Sequence, residues 1–311
     1  MKDKIVQILK ILISMLLMYL LIKQINYEEF KDALENVSVF GVMSVVIAYL
    51  LSIIVNALKW KVLLPETELM FLIFLCFRAQ FFATVLPGQL FGEASKVTVW
   101  KNRNEDISEI AASVIFDKIT GIIGQIIIGV FGIYLSSKAN VINYKWLLIV
   151  MVGLGVFFIY ISSERHISII IKNLLGKIGK INKNIENKLI EFYDAWYHFA
   201  TKKGVLIRSI LWGIFNQTSG IVSVWILSMM MGLKVGFVEY CWIIPLMSVI
   251  LLLPVSFAGV GLRDTSMASM LSIFSVNKGS SLVITMSMLL AQIVAALFGG
   301  FYAIKESIKK T

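Results

Sequence analysis

The sequence predicts an all-α integral membrane protein, as its composition, its apolar runs and the placement of its charges indicate. Of 311 residues, 58% are hydrophobic and 15% are charged, whereas an average soluble domain carries about 25% charged residues. Apolar runs alternate with short polar breaks, and a helix needs roughly 20 apolar residues to cross a bilayer. Basic residues gather in those breaks. We therefore expect one polytopic membrane domain over residues 1–311.

The longest apolar runs predict full spans near residues 5–22, 39–58, 110–135, 146–162, 205–231 and 280–304. The first run follows a short basic N-terminus, as the apolar core of a secretory signal peptide does. It lacks a small-residue cleavage site and is long enough to span, so we interpret it as a retained first helix.

Two further apolar segments predict hairpins. Residues 69–101 are interrupted at Leu86-Pro87-Gly88, and residues 240–276 are interrupted from Pro254 to Gly261. Proline removes a helix hydrogen-bond donor and glycine frees the backbone, so each break divides its segment into two half-helices. The predicted fold is about six full spans plus two re-entrant broken-helix hairpins, or about eight apolar segments.

Charge placement orients the chain. Residues 164–208 hold nine basic residues against four acidic ones, and short cytoplasmic loops are enriched in Lys and Arg. We expect this segment to be cytoplasmic, and re-entrant hairpins then place both termini on the same side. The net charge of +10 would also suit a nucleic-acid-binding protein, but its placement in a few inter-helix segments is the pattern of cytoplasmic loops in a multi-pass protein of the cell membrane. We therefore predict no nucleic-acid partner.

This topology divides the chain into two halves of opposite orientation. Residues 39–135 contain a span, a cytoplasmic hairpin and a span, and residues 205–304 contain a span, an external hairpin and a span. That layout is an inverted repeat, found in transporters whose substrate site lies near the bilayer midplane. The halves share little sequence beyond the character of their breaks.

The linker between the halves, residues 164–204, has the pattern of an amphipathic helix. Its apolar residues recur every three or four positions and lysines occupy the opposite face, as in helices that lie on a membrane surface. It would serve either as a strut without lipid preference or as a cytoplasmic contact for anionic headgroups.

Candidate site residues cluster at the first break. A half-helix that begins after Pro87 and Gly88 would direct its N–H groups and positive dipole end into the membrane. Glu93 and Lys96 share a helix face, so they either pair with each other or divide between substrate and counter-charge. Arg78 lies in an apolar run and requires a partner or a wet cavity.

The second break supplies a matching set. Gly259 and Gly261 suit a sharp turn, and Arg263 and Asp264 follow in the first turn of the next half-helix. A cation there opposes the helix dipole, which is favourable if an anion such as phosphate lies between them. Alternatively, Arg263 pairs with an acid of the first half, such as Glu93 or Asp117, and clamps the halves together.

Asp117 and Lys118 lie within the predicted span 110–135. They either mark its cytoplasmic end or respond to a proton or a cationic headgroup. The glycines that follow on the same helix favour close helix packing; they are Gly121, Gly124, Gly129 and Gly132.

Several kinds of site are not supported. Cys76 and Cys241 lie in apolar segments, and His166 and His198 lack a companion acid cluster, so we predict neither a disulfide nor a metal site. The sequence contains no phosphate-binding loop, nucleophile elbow or dinucleotide fingerprint. We expect a protein that is not an enzyme and needs no cofactor.

The two breaks resemble a known family in order and spacing. The residues that carry the resemblance are Pro87-Gly88, Gly92-Glu93, Lys96, Asp117-Lys118, Pro254, Gly259, Gly261 and Arg263-Asp264. Over nearly the whole chain they resemble the lysylphosphatidylglycerol synthase transmembrane-region family, also called flippase-like domain proteins. Lys118 stands where Arg is commoner and Asp264 where Glu is, and both keep the charge. Because the sequence stops at Thr311, we expect a stand-alone member without the aminoacyl-transferase domain.

Two hypotheses follow. The resemblance implies a flippase that moves a phospholipid or a lipid-linked saccharide between leaflets. In it Arg263, with Arg78 or Lys96, would hold the lipid phosphate, and Glu93 with Asp117 would balance charge. The alternative is a non-transporting scaffold that docks a cytoplasmic lipid-modifying synthase or a glycosyltransferase on the basic linker.

Overall fold

The structure is a computed structural model that describes residues 27–85, 89–100, 106–136, 183–251 and 259–308, with single helical residues at 19, 23 and between 146 and 160. These residues form ten helices and, within the described ranges, no strand. The prediction of an all-α protein is therefore confirmed. In chain order the helices are α1 Tyr27–Glu35, α2 Val39–Lys61, α3 Leu69–Val85, α4 Gln89–Trp100, α5 Ile107–Leu135, α6 Lys183–Thr201, α7 Lys203–Met230, α8 Phe237–Ile250, α9 Leu262–Ser272 and α10 Lys278–Ile308.

Four of the described helices, α2, α5, α7 and α10, are long and apolar enough to cross a membrane. They correspond to the predicted spans 39–58, 110–135, 205–231 and 280–304, with small shifts at the ends. The predicted spans 5–22 and 146–162 lie mostly outside the described residues. Helix α1 was not predicted, because it is short and polar.

Both interrupted segments form pairs of shorter helices. In the first, α3 and α4 pack against each other across a break whose residues, including Pro87 and Gly88, lie outside the described ranges. Gly92 permits this approach, since a Cβ atom there would lie 2.5 Å from the carbonyl oxygen of Ala79. In the second, α8 and α9 also pack against each other.

The turn before α9 requires its two glycines. Gly259 and Gly261 have φ angles of 79° and 80°, a region that side-chain-bearing residues rarely adopt. The backbone N–H of Gly261 donates to Oδ2 of Asp264 at 2.9 Å, which caps the new helix. The predicted sharp turn and the position of Arg263 and Asp264 in the first turn of α9 are confirmed.

Two apolar cores surround the hairpins. One is built around the first hairpin and includes Trp60, Leu72 and Trp100; the other is built around the second and includes Tyr240 and Trp242. Helices α2 and α7 pack together at the centre, α3 packs on α10, and α5 packs on both α7 and α8.

Glycines form the tightest crossings of α5. A Cβ atom on Gly124 would lie 2.9 Å from the backbone of Gly213 in α7, and one on Gly132 would lie 2.8 Å from the backbone of Cys241 in α8. The prediction that these glycines serve close helix packing is confirmed.

The described part of the predicted amphipathic linker is helix α6. The apolar face of its C-terminal half packs against other helices of the protein. Trp196 and Phe199 are buried and pack on the ring of Phe116 in α5, at centroid distances of 5.1 and 5.6 Å. That half of the helix is therefore attached to the helix bundle. Residues 164–182 lie outside the described ranges.

Candidate functional site

A polar cavity of about 360 Å³ lies among seven helices of the bundle. Both hairpins and the helices around them contribute lining residues. These helices are α2, α3, α4, α5, α7, α8 and α10. Its charged residues are Lys59, Glu93, Lys96, Asp117 and Lys118. Its uncharged polar residues are Tyr49, Ser52, Asn56, Gln80, Gln125, Asn216, Gln217, Ser248 and Gln292.

A buried ion pair joins α2 to α5 at one end of the cavity. Lys59 Nζ lies 2.9 Å from Asp117 Oδ1, and the two side chains are 2% and 5% exposed. The same ammonium group donates to the backbone carbonyl of Asp117. Gly121 leaves room for it, since a Cβ there would lie 3.3 Å from Nζ. Lys59 was not among the predicted site residues, so this pair was missed.

Glu93 forms a second ion pair beside the first. It contacts Lys96 Nζ at 2.9 Å and Lys118 Nζ at 3.9 Å. Lys96 is 2% exposed and lies 5.0 Å from the centre of the Trp60 ring, so it is enclosed. Of the two alternatives considered for Glu93 and Lys96, the structure has the mutual pair. Lys118 is 37% exposed and remains accessible.

These groups leave the cavity positively charged. Lys59, Lys96 and Lys118 face two carboxylates, those of Glu93 and Asp117, so three positive and two negative charges give a net +1. A charged side chain inside a transmembrane bundle is costly, so such groups are normally paired or line a wet cavity. Here they do both.

The rest of the cavity is lined by carboxamides. Gln125 donates to Gln217 across α5 and α7 at 3.1 Å, and Gln292 donates to Thr84 at 3.4 Å. The oxygen Oδ1 of Asn216 is buried without a hydrogen-bond partner among the described residues. At 1.5 Å per residue, Gln125 lies ~12 Å further along α5 than Asp117. The cavity thus has a charged end and a carboxamide end.

Arg263 of the second hairpin is connected to the carboxamide end. It is 4% exposed, and its Nη1 donates to Gln292 Oε1 at 3.4 Å. Its nearest acid is its neighbour Asp264, at 4.0 Å, so the alternative in which it pairs with Glu93 or Asp117 does not occur in this structure. Within the described ranges, its Nε and Nη2 have no hydrogen-bond partner.

Of the two alternatives for Arg78, a partner or a wet cavity, the structure has partners. Arg78 donates to the carbonyl of Ser95 and to Thr98 Oγ1, the latter at 3.5 Å, and lies 4.9 Å from the centre of the Phe82 ring. It therefore ties α3 to α4. The cavity is lined by neither Arg78 nor Arg263, whereas Lys96 does line it. The joint hold of Arg263 with Arg78 or Lys96 on one phosphate stays a prediction.

The remaining predicted residues have structural positions. Gly259, Gly261 and Asp264 shape the start of α9, and Pro87 and Gly88 lie outside the described residues. Among the residues that the structure describes, no group of His, Cys, Asp and Glu side chains is arranged to hold a metal ion.

Sequence reasoning missed Lys59 and the carboxamides for a common reason. Each lies within or at the end of an apolar helix, and a polar residue there is easily assigned to a helix end or a local hydrogen bond. The available signal was their number, since Asn56, Gln80, Gln125, Asn216, Gln217 and Gln292 all interrupt apolar helices. That they converge depends on the packing of α2, α3, α5, α7 and α10.

Comparison with known proteins agrees with the architecture. No curated protein and no solved structure matches this chain. A family model described as Lysylphosphatidylglycerol synthase TM region matches residues 7–300, which include both hairpins and every residue that lines the cavity. The chain is therefore a membrane protein that belongs to the lysylphosphatidylglycerol synthase transmembrane-region family.

Proposed function

We propose that this protein is a lipid flippase that passes a polar headgroup through the cavity between its two hairpins. The observation that carries the proposal is the cavity itself: about 360 Å³ of polar space among helices that are long and apolar enough to span a bilayer. A headgroup crossing the membrane needs such a polar route, because unsatisfied polar groups in hydrocarbon cost several kcal/mol each.

The charges of the cavity suit a phosphate. Its net charge is +1, and Lys118 is the least enclosed of its lysines. In the proposed mechanism Lys118 contacts the phosphate while Glu93 and Asp117 hold Lys96 and Lys59 in place. Arg263 acts later on the path through Gln292, which lines the cavity and also accepts from its guanidinium.

The packing of the helices supports an inverted repeat. If α2, α3, α4 and α5 correspond to α7, α8, α9 and α10, then each contact has a counterpart: α3 on α10 with α8 on α5, and α2 on α10 with α7 on α5. The central pair, α2 with α7, is its own counterpart. Even α1, which packs on α10, has a counterpart in α6, which packs on α5.

Glycines repeat the same correspondence. Gly132 of α5 lies against the first helix of the second hairpin, where Cys241 is its neighbour, and Gly299 of α10 lies against Phe77 in the first helix of the first hairpin. Two packings of nearly equal energy, related by such a repeat, would expose the cavity to one leaflet and then to the other.

The proposed orientation follows from charge. With the basic linker and both termini in the cytoplasm of a cell-membrane protein, the C-terminal end of α2 and the N-terminal ends of α5 and α7 face the cytoplasm. Lys59 and Asp117 then lie at the cytoplasmic end of the cavity, and the carboxamides lie deeper. A phosphate entering from the inner leaflet meets the charged end first.

Leaflet exchange in liposomes tests the proposal. The purified chain would be reconstituted with fluorescently labelled anionic phospholipids, and the fraction accessible to an external quencher would be followed with time. We expect exchange by the wild type and a loss of about tenfold or more for Lys118→Gln, since a charge-assisted contact is typically worth 1.5–3 kcal/mol, roughly tenfold to a hundredfold. Lys31→Gln, an exposed lysine of α1, is the matched control. Folded protein that exchanges none of the anionic lipids would refute the proposal.

The scaffold hypothesis has less support. The described part of its docking segment is α6, whose buried residues Tyr193, Trp196 and Phe199 already pack inside the protein. On α6 a partner enzyme would have to bind the charged face alone. Copurification of a synthase or glycosyltransferase would favour a scaffold if deleting the linker abolished it while the distribution of lipid between leaflets stayed normal.

A further inference from the structure

The cavity is divided into two chemically different layers. Among the described lining residues, every charged side chain belongs to the layer formed by Lys59, Glu93, Lys96, Asp117 and Lys118, and the six carboxamides extend from there toward the middle of the bundle. Along α2, Tyr49 lies ~15 Å from Lys59 at 1.5 Å per residue. A ligand that fills the cavity must therefore present an anionic part to one layer and a neutral part to the other.

The carboxamide layer is suited to hydroxyl groups. An amide side chain offers both donors and an acceptor, and so does a hydroxyl, so the two can pair in either direction. Between Gln125 and Gln217 one N–H···O bond is formed, which leaves a second N–H and the carbonyl oxygen of Gln125 for a ligand. The carboxamide of Asn216 lines the same part of the cavity. The hydroxyls of Ser52 and Ser248 lie on the same walls.

The same cavity is poorly suited to an amine. Both of its carboxylates are engaged, Asp117 by Lys59 and Glu93 by Lys96 and Lys118, and its net charge repels a further cation. Quaternary amines are recognised by cages of aromatic rings, but Tyr49 is the only aromatic side chain among the lining residues that the structure describes.

We infer that the cavity selects a lipid whose headgroup joins one phosphate to a neutral polyhydroxyl group, such as a glycerol, inositol or glycosyl unit. The phosphate meets Lys118 at the charged layer and the hydroxyls meet Gln125, Gln217 and Asn216. Aminoacylated and other amine-bearing headgroups are disfavoured. The inference rests on the proposed function for its ligand class, because it takes the occupant to be a membrane lipid, but it concerns binding and is tested without transport.

Competition for binding provides the test. The full chain in detergent would be offered equimolar phosphatidylinositol, phosphatidylserine, phosphatidic acid and lysylphosphatidylglycerol with identical acyl chains, and the retained lipids would be counted by native mass spectrometry. We expect phosphatidylinositol to be retained about tenfold over each of the others, since two or three hydrogen bonds at about 0.5–1.5 kcal/mol each suffice for that ratio.

A double variant locates the selectivity. Gln125→Leu with Gln217→Leu removes both partners of one hydrogen bond, so no amide is left unpaired, and should bring retention of phosphatidylinositol down to that of phosphatidic acid. Asn36→Ala, an exposed carboxamide outside the cavity whose side chain bonds the Asp32 carbonyl, should leave the ratio unchanged. The wild-type comparison among lipids does not depend on either variant.

The outcomes separate the two proposals. Equal retention of all anionic lipids, or preference for an amine-bearing lipid, would overturn the inference and leave the flippase proposal intact. Selective retention of phosphatidylinositol by a chain that exchanges no lipid in liposomes would support the inference and overturn the flippase proposal. Selectivity that survives in the double variant would also overturn the inference, since it assigns recognition to these carboxamides.

Discussion

The two hairpins treat their charges in opposite ways. In the first, Glu93 and Lys96 of α4 form an ion pair that Lys118 joins, and all three line a polar cavity. In the second, Arg263 is 4% exposed and two of its guanidinium nitrogens lack partners in the described structure, while Asp264 caps the helix. One hairpin is electrostatically satisfied beside polar space; the other holds a poorly compensated cation in a packed core.

The proposed inverted repeat would account for this difference if the two halves were in different states. If the halves exchange their packings, the second hairpin would line polar space in the other state and Arg263 would gain a partner there. A buried cation without sufficient partners raises the energy of the present state. The comparison therefore yields predictions about stability as well as transport.

The largest loss of stability is expected when the buried ion pair of Lys59 and Asp117 is broken. Asp117→Leu leaves the ammonium of Lys59 buried with only a backbone carbonyl, and breaking a buried pair typically costs about 3–5 kcal/mol. We expect a loss of that size in the free energy of unfolding, measured by dodecyl sulfate titration followed by circular dichroism.

The double variant Lys59→Met with Asp117→Leu provides the control for this loss. It removes both charges, so most of the stability should return. If the double variant is as unstable as the single one, the loss reflects packing, and stability near the first hairpin does not depend on this ion pair.

A smaller effect is expected at Glu93, whose side chain is 23% exposed. Glu93→Gln removes the charge that pairs with Lys96 and Lys118, and we expect a loss of about 2 kcal/mol in the same titration. Glu35→Gln is the matched control, because Glu35 pairs with Lys31 at 3.9 Å on the surface with both side chains more than half exposed. Exposed pairs contribute about 0–1 kcal/mol, so equal losses in the two variants would contradict the comparison.

The glycines of the helices give a third, still smaller effect. Gly92→Ala puts a methyl group against the Ala79 carbonyl; overpacking costs about 1–3 kcal/mol, partly offset by up to about 1 kcal/mol of helix propensity. We expect a net loss of about 1 kcal/mol. Gly220→Ala in α7 meets nothing within 4 Å and should be neutral or slightly stabilising. A stabilising Gly92→Ala would show that α3 and α4 separate readily at the first hairpin.

The helical segments and their breaks could be predicted because the breaks depend on local residue types. Pro87-Gly88 and the stretch from Pro254 to Gly261 interrupt apolar runs in a way that depends on no distant contact, and α4 and α9 begin next to those breaks. The turn before α9 shows this most directly, since only glycine suits the φ angles of Gly259 and Gly261.

The site was only partly predictable because its partners are distant in sequence. Glu93 with Lys96 was accessible from helical spacing. The pair of Lys59 with Asp117 joins residues 58 positions apart, and the bond between Gln125 and Gln217 joins residues 92 apart. Charge attraction selects no unique partner from sequence; the close crossing of α5 and α7 at Gly124 and Gly213 decides which polar residues meet.

The smallest effect on stability is expected at Arg263, the residue at which the two hairpins differ most. Arg263→Met replaces a buried, incompletely paired cation by an apolar side chain of similar length, a change that is often neutral or stabilising. We expect the free energy of unfolding to stay within about 0.5 kcal/mol of the wild type or to rise, while leaflet exchange in liposomes falls sharply because the other state loses its cation. Asp264→Ala, which removes the cap of α9, should instead lower stability by about 1 kcal/mol. If Arg263→Met destabilised the protein as much as Asp117→Leu does, Arg263 would be a fully compensated structural cation, and the contrast between the two hairpins would not hold.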